Sequence, residues 1–65
     1  MSNVERAQYL ARLSAKMSVM YKLPKEKCEV LVNSSPMNQL LDKDAEMVMH
    51  EQLSSWAELI YESQH

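Results

Sequence analysis

The clearest pattern of apolar and polar positions lies in the last third of the chain, from Asp44 to Glu62. At about 100° per residue, the spacing of an α-helix, one broad side is apolar and carries Ala45, Val48, Met49, Leu53, Trp56, Ala57, Leu59 and Ile60. The other side is polar and carries Glu51, Ser54, Glu58 and Glu62. The segment contains neither Gly nor Pro. The pattern predicts one amphipathic helix over about 44–63, against which the rest of the chain packs.

A second apolar stripe lies near the start of the chain and consists of Leu10, Leu13, Met17 and Met20. Upstream of it, Ser2 is followed three residues later by Glu5, which is typical of a capped helix start. Downstream, Pro24 disfavours helical backbone angles at Leu23. These signals predict a first helix over about 3–22.

In the middle of the chain, two prolines mark the predicted starts of helical segments. Pro24 suits the first position of a helix over about 24–33, and Pro36, after Ser35, suits the start of a short helical turn at 36–41. The run 28–32 fits a helix or a short strand, and we favour a helix because no second strand is visible to pair with it. A break is expected near Asp42, although the pattern leaves open whether 36–63 forms one bent helix or two.

These elements predict an all-α fold, a small antiparallel three-helix bundle forming a single domain over 1–65. Cys28 is interpreted as a small core residue. The predicted core consists of Leu10, Leu13, Met17, Met20, Leu31, Leu40, Leu41, Met49, Leu53, Trp56 and Ile60.

Length and composition narrow the function classes. A chain of 65 residues buries only about 60% of its unfolded surface, so its stability is thin and a partner chain is one way to increase it. The absence of glycine excludes glycine-rich phosphate loops. The single cysteine fits a reducing compartment, and we see neither a signal-peptide pattern nor the roughly 20 apolar residues of a membrane span. We therefore expect a cytoplasmic protein without membrane contact.

Charge is unevenly distributed along the chain. Residues 1–32 carry six basic and three acidic side chains (net +3), whereas residues 33–65 carry one basic and six acidic (net −5). The basic side of the first helix, around Arg12, Lys16 and Val19, is an alternative partner face. The only basic residues available for binding nucleic acid are Arg6, Arg12, Lys16, Lys22, Lys25 and Lys27, and acidic residues interrupt them. The acidic last helix would repel phosphate, so a small nucleic-acid-binding regulator is kept only as the alternative function.

Candidate catalytic and metal-binding residues are few. Cys28, His50 and His65 are too few and too scattered to predict a metal site. The fragment beginning His50-Glu51 resembles the start of a zinc-protease motif, but Ser54 stands where the second histidine is required. We therefore predict a protein that is not an enzyme and that uses no metal, cofactor or small-molecule substrate.

One strip on the last predicted helix favours a protein partner. On the side opposite Trp56, the strip contains Met47, His50, Ser54 and Tyr61, flanked by Glu51 and Glu58. Methionine and tyrosine are enriched in interface cores. We interpret the chain as a protein-binding module (an adaptor, an inhibitor or an antitoxin-like neutraliser) that docks this helix face on another protein or on a second copy of itself.

Residues 24–62 resemble short uncharacterised all-helical accessory proteins of bacteria and their mobile elements. The matching features are Pro24-Lys25-Glu26 at a helix start, the Ser34-Ser35 turn, the Leu40-Leu41 pair, the acidic turn Asp42 to Asp44, and a final helix from Ala45 to Glu62. Proteins of this kind are similar to those encoded beside toxins or other accessory genes. The resemblance implies a regulatory or neutralising binder, and it assigns no functional residue.

Overall fold

The computed structural model describes residues 2–63, which form four helices and no strand: α1 (Asn3–Tyr21), α2 (Lys25–Ser34), α3 (Met37–His50) and α4 (Leu53–Ser63). The predicted all-α class is confirmed, and residues 28–32 are helical. The predicted number of three main helices is wrong, because residues 37–63 form two helices, α3 and α4.

The ends of α1 are set by local side-chain contacts. At the start, the Ser2 Oγ accepts a hydrogen bond from the Glu5 backbone N–H at 3.1 Å. At the end, Lys22 adopts left-handed backbone angles (φ 53°, ψ 43°), and the Ser18 hydroxyl donates to the Leu23 carbonyl at 2.6 Å. This left-handed residue stops the helix and turns the chain into Pro24.

The segment that begins at Pro36 is longer than the predicted turn at 36–41. The Pro36 carbonyl accepts the Leu40 N–H at 2.9 Å, and α3 then continues to His50. The expected break near Asp42 is a kink at Asp44, where φ is −157° and ψ is 79°. The Asp44 carboxylate accepts the Met47 backbone N–H at 3.1 Å, so Asp44 caps the second half of α3.

A second break, between α3 and α4, contradicts the predicted continuous helix over 44–63. Glu51 is extended (φ −78°, ψ 152°), and the Gln52 carbonyl accepts the first backbone hydrogen bonds of α4. In a continuous helix Gln52 would lie four residues from both Val48 and Trp56, in the middle of the apolar side. The break instead leaves Gln52 exposed.

The core lies around α1, which makes its most extensive contacts with α2 and α4. Arg6 of α1 also forms an ion pair with Asp42 of α3. The buried side chains are Tyr9, Leu13, Ser14, Met17, Cys28, Val32, Met37, Leu41, Val48, Ala57 and Ile60.

The predicted core is confirmed in part. The predicted residues Leu13, Met17, Cys28, Leu41 and Ile60 are buried, whereas the following are only partly buried: Leu10, Met20, Leu31, Leu40, Leu53 and Trp56. Met49 was wrongly assigned to the core, because it is 45% exposed while its neighbour Val48 is fully buried. The kink at Asp44 and the break after His50 change the direction of residues 45–50. A single helical wheel over 44–63 therefore does not predict which of these residues are buried.

Within residues 2–63, the helices are too short or too polar to cross a lipid bilayer.

Candidate protein-binding surface

The Val48 carbonyl fixes the position of α4 relative to α3. The Trp56 indole N–H donates to this oxygen at 3.0 Å, and the Tyr9 hydroxyl donates at 3.3 Å. The Glu51 backbone N–H also donates to it at 3.3 Å. The last carbonyls of a helix have no partner within that helix. Side chains from α1 and α4 therefore meet at the end of α3 and hold the Trp56 ring in place.

An open apolar groove, here called the α3/α4 groove, lies beside the Trp56 ring and has a volume of about 270 Å³. It is lined by Pro36, Met37, Leu40, Trp56, Leu59, Ile60 and Ser63. Met37 and Ile60 are buried, and Leu40 and Trp56 are half-buried. Leu59 is 57% exposed. The groove thus combines buried apolar side chains with an aromatic ring and an exposed leucine.

The helices that form this groove carry mainly negative charge. Residues 36–63, which include both helices, carry six exposed carboxylates: Asp42, Asp44, Glu46, Glu51, Glu58 and Glu62. Among the described residues from 36 to 63, Lys43 is the single lysine, and there is no arginine. Glu58 precedes Leu59 directly and Glu62 follows it by three residues, so two exposed carboxylates lie near this leucine on α4.

The predicted strip on the last helix is divided between two helices. Met47 and His50 lie on α3, whereas Ser54 and Tyr61 lie on α4, beyond the break. Met47 is 42% exposed, and His50 is exposed. The flanking Glu51 and Glu58 are also exposed, Glu51 within the break and Glu58 on α4. The strip is therefore not one continuous helix face, and its role in binding stays a prediction.

Tyr61 has a structural contact that the sequence pattern did not indicate. Its ring stacks on the ring of Tyr21, with centroids 3.8 Å apart and an interplanar angle of 3°. Burial raises the pKa of the Tyr21 hydroxyl, and the nearby charges of Glu58 and Glu62 raise it further. The stack joins α4 to α1, so Tyr61 is part of the folded packing rather than an exposed member of the strip.

The alternative face on α1 is exposed. Arg12 and Lys16 are both exposed, and Val19 is 77% exposed. Their spacing of four and then three residues places them on one side of the helix. This face combines positive charge with one apolar side chain.

Cys28 and His50, the described residues considered for chemistry, lie on different helices, α2 and α3. Residues 2–63 include no group of three or more His, Cys, Asp or Glu side chains arranged to hold a metal ion. His50 lies 4.0 Å from the Glu46 carboxylate, and both side chains are largely exposed. Burial raises the pKa of the Cys28 thiol, which disfavours the nucleophilic thiolate. His65 lies outside the described residues.

A cleft of about 330 Å³ with both polar and apolar lining runs along the other side of α1. It is lined by Asn3, Arg6, Ala7, Leu10, Ala11, Ser14, Glu29, Asn33 and Asn38. The Ser14 hydroxyl donates to the Leu10 carbonyl at 2.9 Å, and Arg6 is paired with Asp42. The Ser14 hydroxyl and one terminal nitrogen of the Arg6 guanidinium therefore have local partners, whereas the buried Arg6 Nε has none among the described residues.

Comparisons of the chain with models of protein families, with curated proteins and with solved structures found no match.

The α3/α4 groove was not predicted from the sequence, because the apolar pattern places Leu59 on the buried side of a single long helix. One signal was present in the spacing: Trp56, Leu59 and Ser63 recur at intervals of three and four residues, which defines a second face beside the core-facing Ala57 and Ile60. The other wall of the groove comes from the start of α3. Its position depends on tertiary packing, which the local pattern does not determine.

Proposed function

We propose that this chain is a small non-enzymatic protein-binding module whose α3/α4 groove binds an amphipathic, basic helix of a partner protein. The observation that carries the proposal is the 57% exposure of Leu59 beside a groove lined by buried and half-buried apolar side chains. Single exposed apolar residues are ordinary on protein surfaces. Here the exposed residue continues a preformed apolar groove, as in the helix-in-groove mode of peptide recognition.

Trp56 is suited to anchor such a contact. Tryptophan is enriched among the residues that contribute most to binding. The hydrogen bond to the Val48 carbonyl already satisfies the indole N–H of Trp56. A partner can therefore cover the ring without leaving a buried donor unpaired, which would otherwise weaken binding.

Charge favours a basic partner over an acidic one. Because Glu58 and Glu62 lie on either side of Leu59 in the sequence, lysine or arginine residues at the edges of a docked helix would be attracted to this side. Such charges mainly increase the association rate and the specificity. The partner would place apolar side chains at positions i, i+3 or i+4, and i+7, with basic residues beside them.

The test uses a synthetic helical peptide of about 16 residues, or some four turns, with leucines at this spacing and lysines between them. Trp56 is the only tryptophan, so its fluorescence reports directly on the groove. We expect the peptide to change this fluorescence in a saturable manner. Two control peptides, one with the same composition in scrambled order and one with glutamate in place of lysine, should bind at least about tenfold more weakly.

Two matched protein variants locate the site. Leu59→Lys should weaken binding about tenfold or more, which is the scale expected for an interface anchor. Val30→Lys is the control, because Val30 lies on α2 and is 63% exposed. This variant should bind as the parent does. Equal effects of the two variants would place binding outside the groove.

A duplex DNA probe tests the alternative function. Two results together would contradict the proposal. The parent would bind DNA and the Arg12→Glu/Lys16→Glu double variant would not, and no helical peptide would change the Trp56 fluorescence. This outcome would favour a nucleic-acid-binding regulator that uses the basic face of α1.

A further inference from the structure

The break between α3 and α4 lacks a residue that ends helices. Its two residues, Glu51 and Gln52, are both good helix formers, and the chain contains no glycine. Local preference therefore favours one continuous helix through this point. Tertiary contacts must oppose that preference in the folded monomer.

The opposing contacts meet at the Val48 carbonyl. In a continuous helix this oxygen accepts the Gln52 N–H. In the structure it accepts the Trp56 indole N–H at 3.0 Å, the Tyr9 hydroxyl at 3.3 Å and the Glu51 N–H at 3.3 Å. The bent and the continuous forms thus use the Val48 carbonyl as an acceptor for different donors. The two forms differ mainly in the backbone angles of Glu51 and Gln52.

A monomer with a continuous helix would be poorly packed. α4 makes extensive contacts with α1, buries Ala57 and Ile60, and contributes Tyr61 to the stack on Tyr21. Straightening the break would carry α4 away from its own α1 and expose the apolar surface of each helix. A second copy that straightens in the same way exposes the same α1 surface. The α4 of the first copy fits that surface, because it is the surface on which α4 packs in the monomer.

We propose that two copies of this chain exchange α4. In this dimer, the second half of α3 and α4 form one helix over about 45–63, and α4 packs on the α1 of the partner copy through the same Ala57, Ile60 and Tyr61 contacts. Exchange of an identical element is a low-cost route to a dimer, because it reuses interactions that the monomer already has. Short connections such as the one at Glu51 and Gln52 favour it. This inference does not depend on the proposed groove function.

Gln52 controls the balance between the two forms. In the bent monomer it is exposed, whereas in a continuous helix it lies between Val48 and Trp56 on the apolar side. Gln52→Leu removes an amide from that side and should favour the continuous helix. Gln52→Pro should prevent the continuous helix, because proline lacks the N–H that Val48 would accept. Glu51, with ψ of 152°, already has the extended conformation preferred before proline.

The experiment measures molar mass by light scattering after size-exclusion chromatography, over a range of protein concentrations. We expect a monomer and a dimer in the parent, a dimer dissociation constant lowered about tenfold or more in Gln52→Leu, and only monomer in Gln52→Pro. Gln8→Leu controls for added hydrophobicity, because Gln8 is exposed on α1; it should behave as the parent.

Amide hydrogen exchange distinguishes exchange of α4 from association through another surface. The Gln52 N–H should be more protected in the dimer fraction than in the monomer, since it becomes a helical donor. A parent and a Gln52→Leu variant that both remain monomeric would overturn the proposal, as would a Gln52→Pro variant that dimerises like the parent. Peptide binding by monomeric Gln52→Pro tests the groove separately, so either proposal can fail alone.

Discussion

Trp56 donates its indole N–H to the backbone carbonyl of Val48 across 3.0 Å, and this bond joins two helices that the sequence pattern predicts as one. A buried or half-buried tryptophan generally needs a partner for its N–H. Val48, near the end of α3, offers a carbonyl that the helix itself does not use fully. The bond therefore satisfies two polar groups at once and sets the angle at which α4 leaves α3.

Trp56→Phe should lower stability by about 1 kcal/mol, because it removes this hydrogen bond while keeping an aromatic ring. For a domain of this size the change corresponds to a fall in melting temperature of roughly 4–8 °C. Trp56→Ala should cost more, about 2–3 kcal/mol, because it also removes the half-buried ring. Circular dichroism melts at low protein concentration measure both. A Trp56→Phe variant that melts with the parent would show that the bond contributes no net stability.

Local signals in the sequence were sufficient to predict three of the four helix starts. Ser2 caps α1, Pro24 immediately precedes α2, and Pro36 immediately precedes α3. In each case a few neighbouring residues determine the backbone geometry, so the chemistry can be interpreted without knowing the fold. Burial of Cys28 was also predicted correctly, since a small thiol in a helical apolar position suits a core.

The break after His50 was not predictable in the same way. Glu51 and Gln52 favour helix locally, and the gain from bending lies in contacts with Tyr9, which is about forty residues away along the chain. The one local signal was Gln52, a polar residue in the middle of an apolar side. The α3/α4 groove depends on this break, so its residues could not be assembled from a single helical wheel.

Lys22→Gly should stabilise the protein by about 0.5–1 kcal/mol. Lys22 has positive φ (53°), which costs energy for a residue with a Cβ but not for glycine. This gain in stability is larger than the loss that arises because glycine increases the conformational entropy of the unfolded chain. Chemical denaturation measures the difference. Lys16→Gly is the matched control, because Lys16 lies inside α1 and the same change there should destabilise by about 1 kcal/mol.

Stability should decrease as pH rises above about 9–10. Burial raises the pKa of the Tyr9 hydroxyl, and burial followed by the charges of Glu58 and Glu62 raises the pKa of Tyr21. Groups whose pKa is raised by folding favour the native state while they are protonated. Their contribution is complete below the ordinary tyrosine pKa and is lost as pH rises through the raised value.

Free energies of unfolding between about pH 8 and about pH 11 test this dependence. Tyr21→Phe should reduce the slope, because one of the ionising groups is removed while the ring remains available to stack on Tyr61. A parent whose stability is constant or increases over this range would contradict the expectation.

Met47→Lys and Tyr61→Lys should differ in their effect on stability, although both residues belong to the strip predicted from sequence. Met47 is 42% exposed, so lysine should leave the melting curve within about 0.5 kcal/mol of the parent. Tyr61 stacks on Tyr21, and its loss should cost about 1–3 kcal/mol. If Tyr61→Lys melts with the parent, the stack adds nothing to the fold and Tyr61 becomes available as a binding residue.

Reversing the charges beside Leu59 should slow the association of the lysine-leucine peptide rather than abolish it. Glu58 and Glu62 are exposed, and exposed charges act mainly through long-range attraction, which salt screens over about 8–10 Å at ordinary ionic strength. The Glu58→Lys/Glu62→Lys variant should therefore associate more slowly and with much weaker salt dependence, while the dissociation rate changes little. Stopped-flow measurement of Trp56 fluorescence at several salt concentrations separates the two rates.

Glu26→Lys/Glu29→Lys is the control, because it changes the net charge equally but lies on α2. If the α2 variant slows association as much as the α4 variant, net charge alone attracts the peptide, and the carboxylates beside the groove do not select a basic partner.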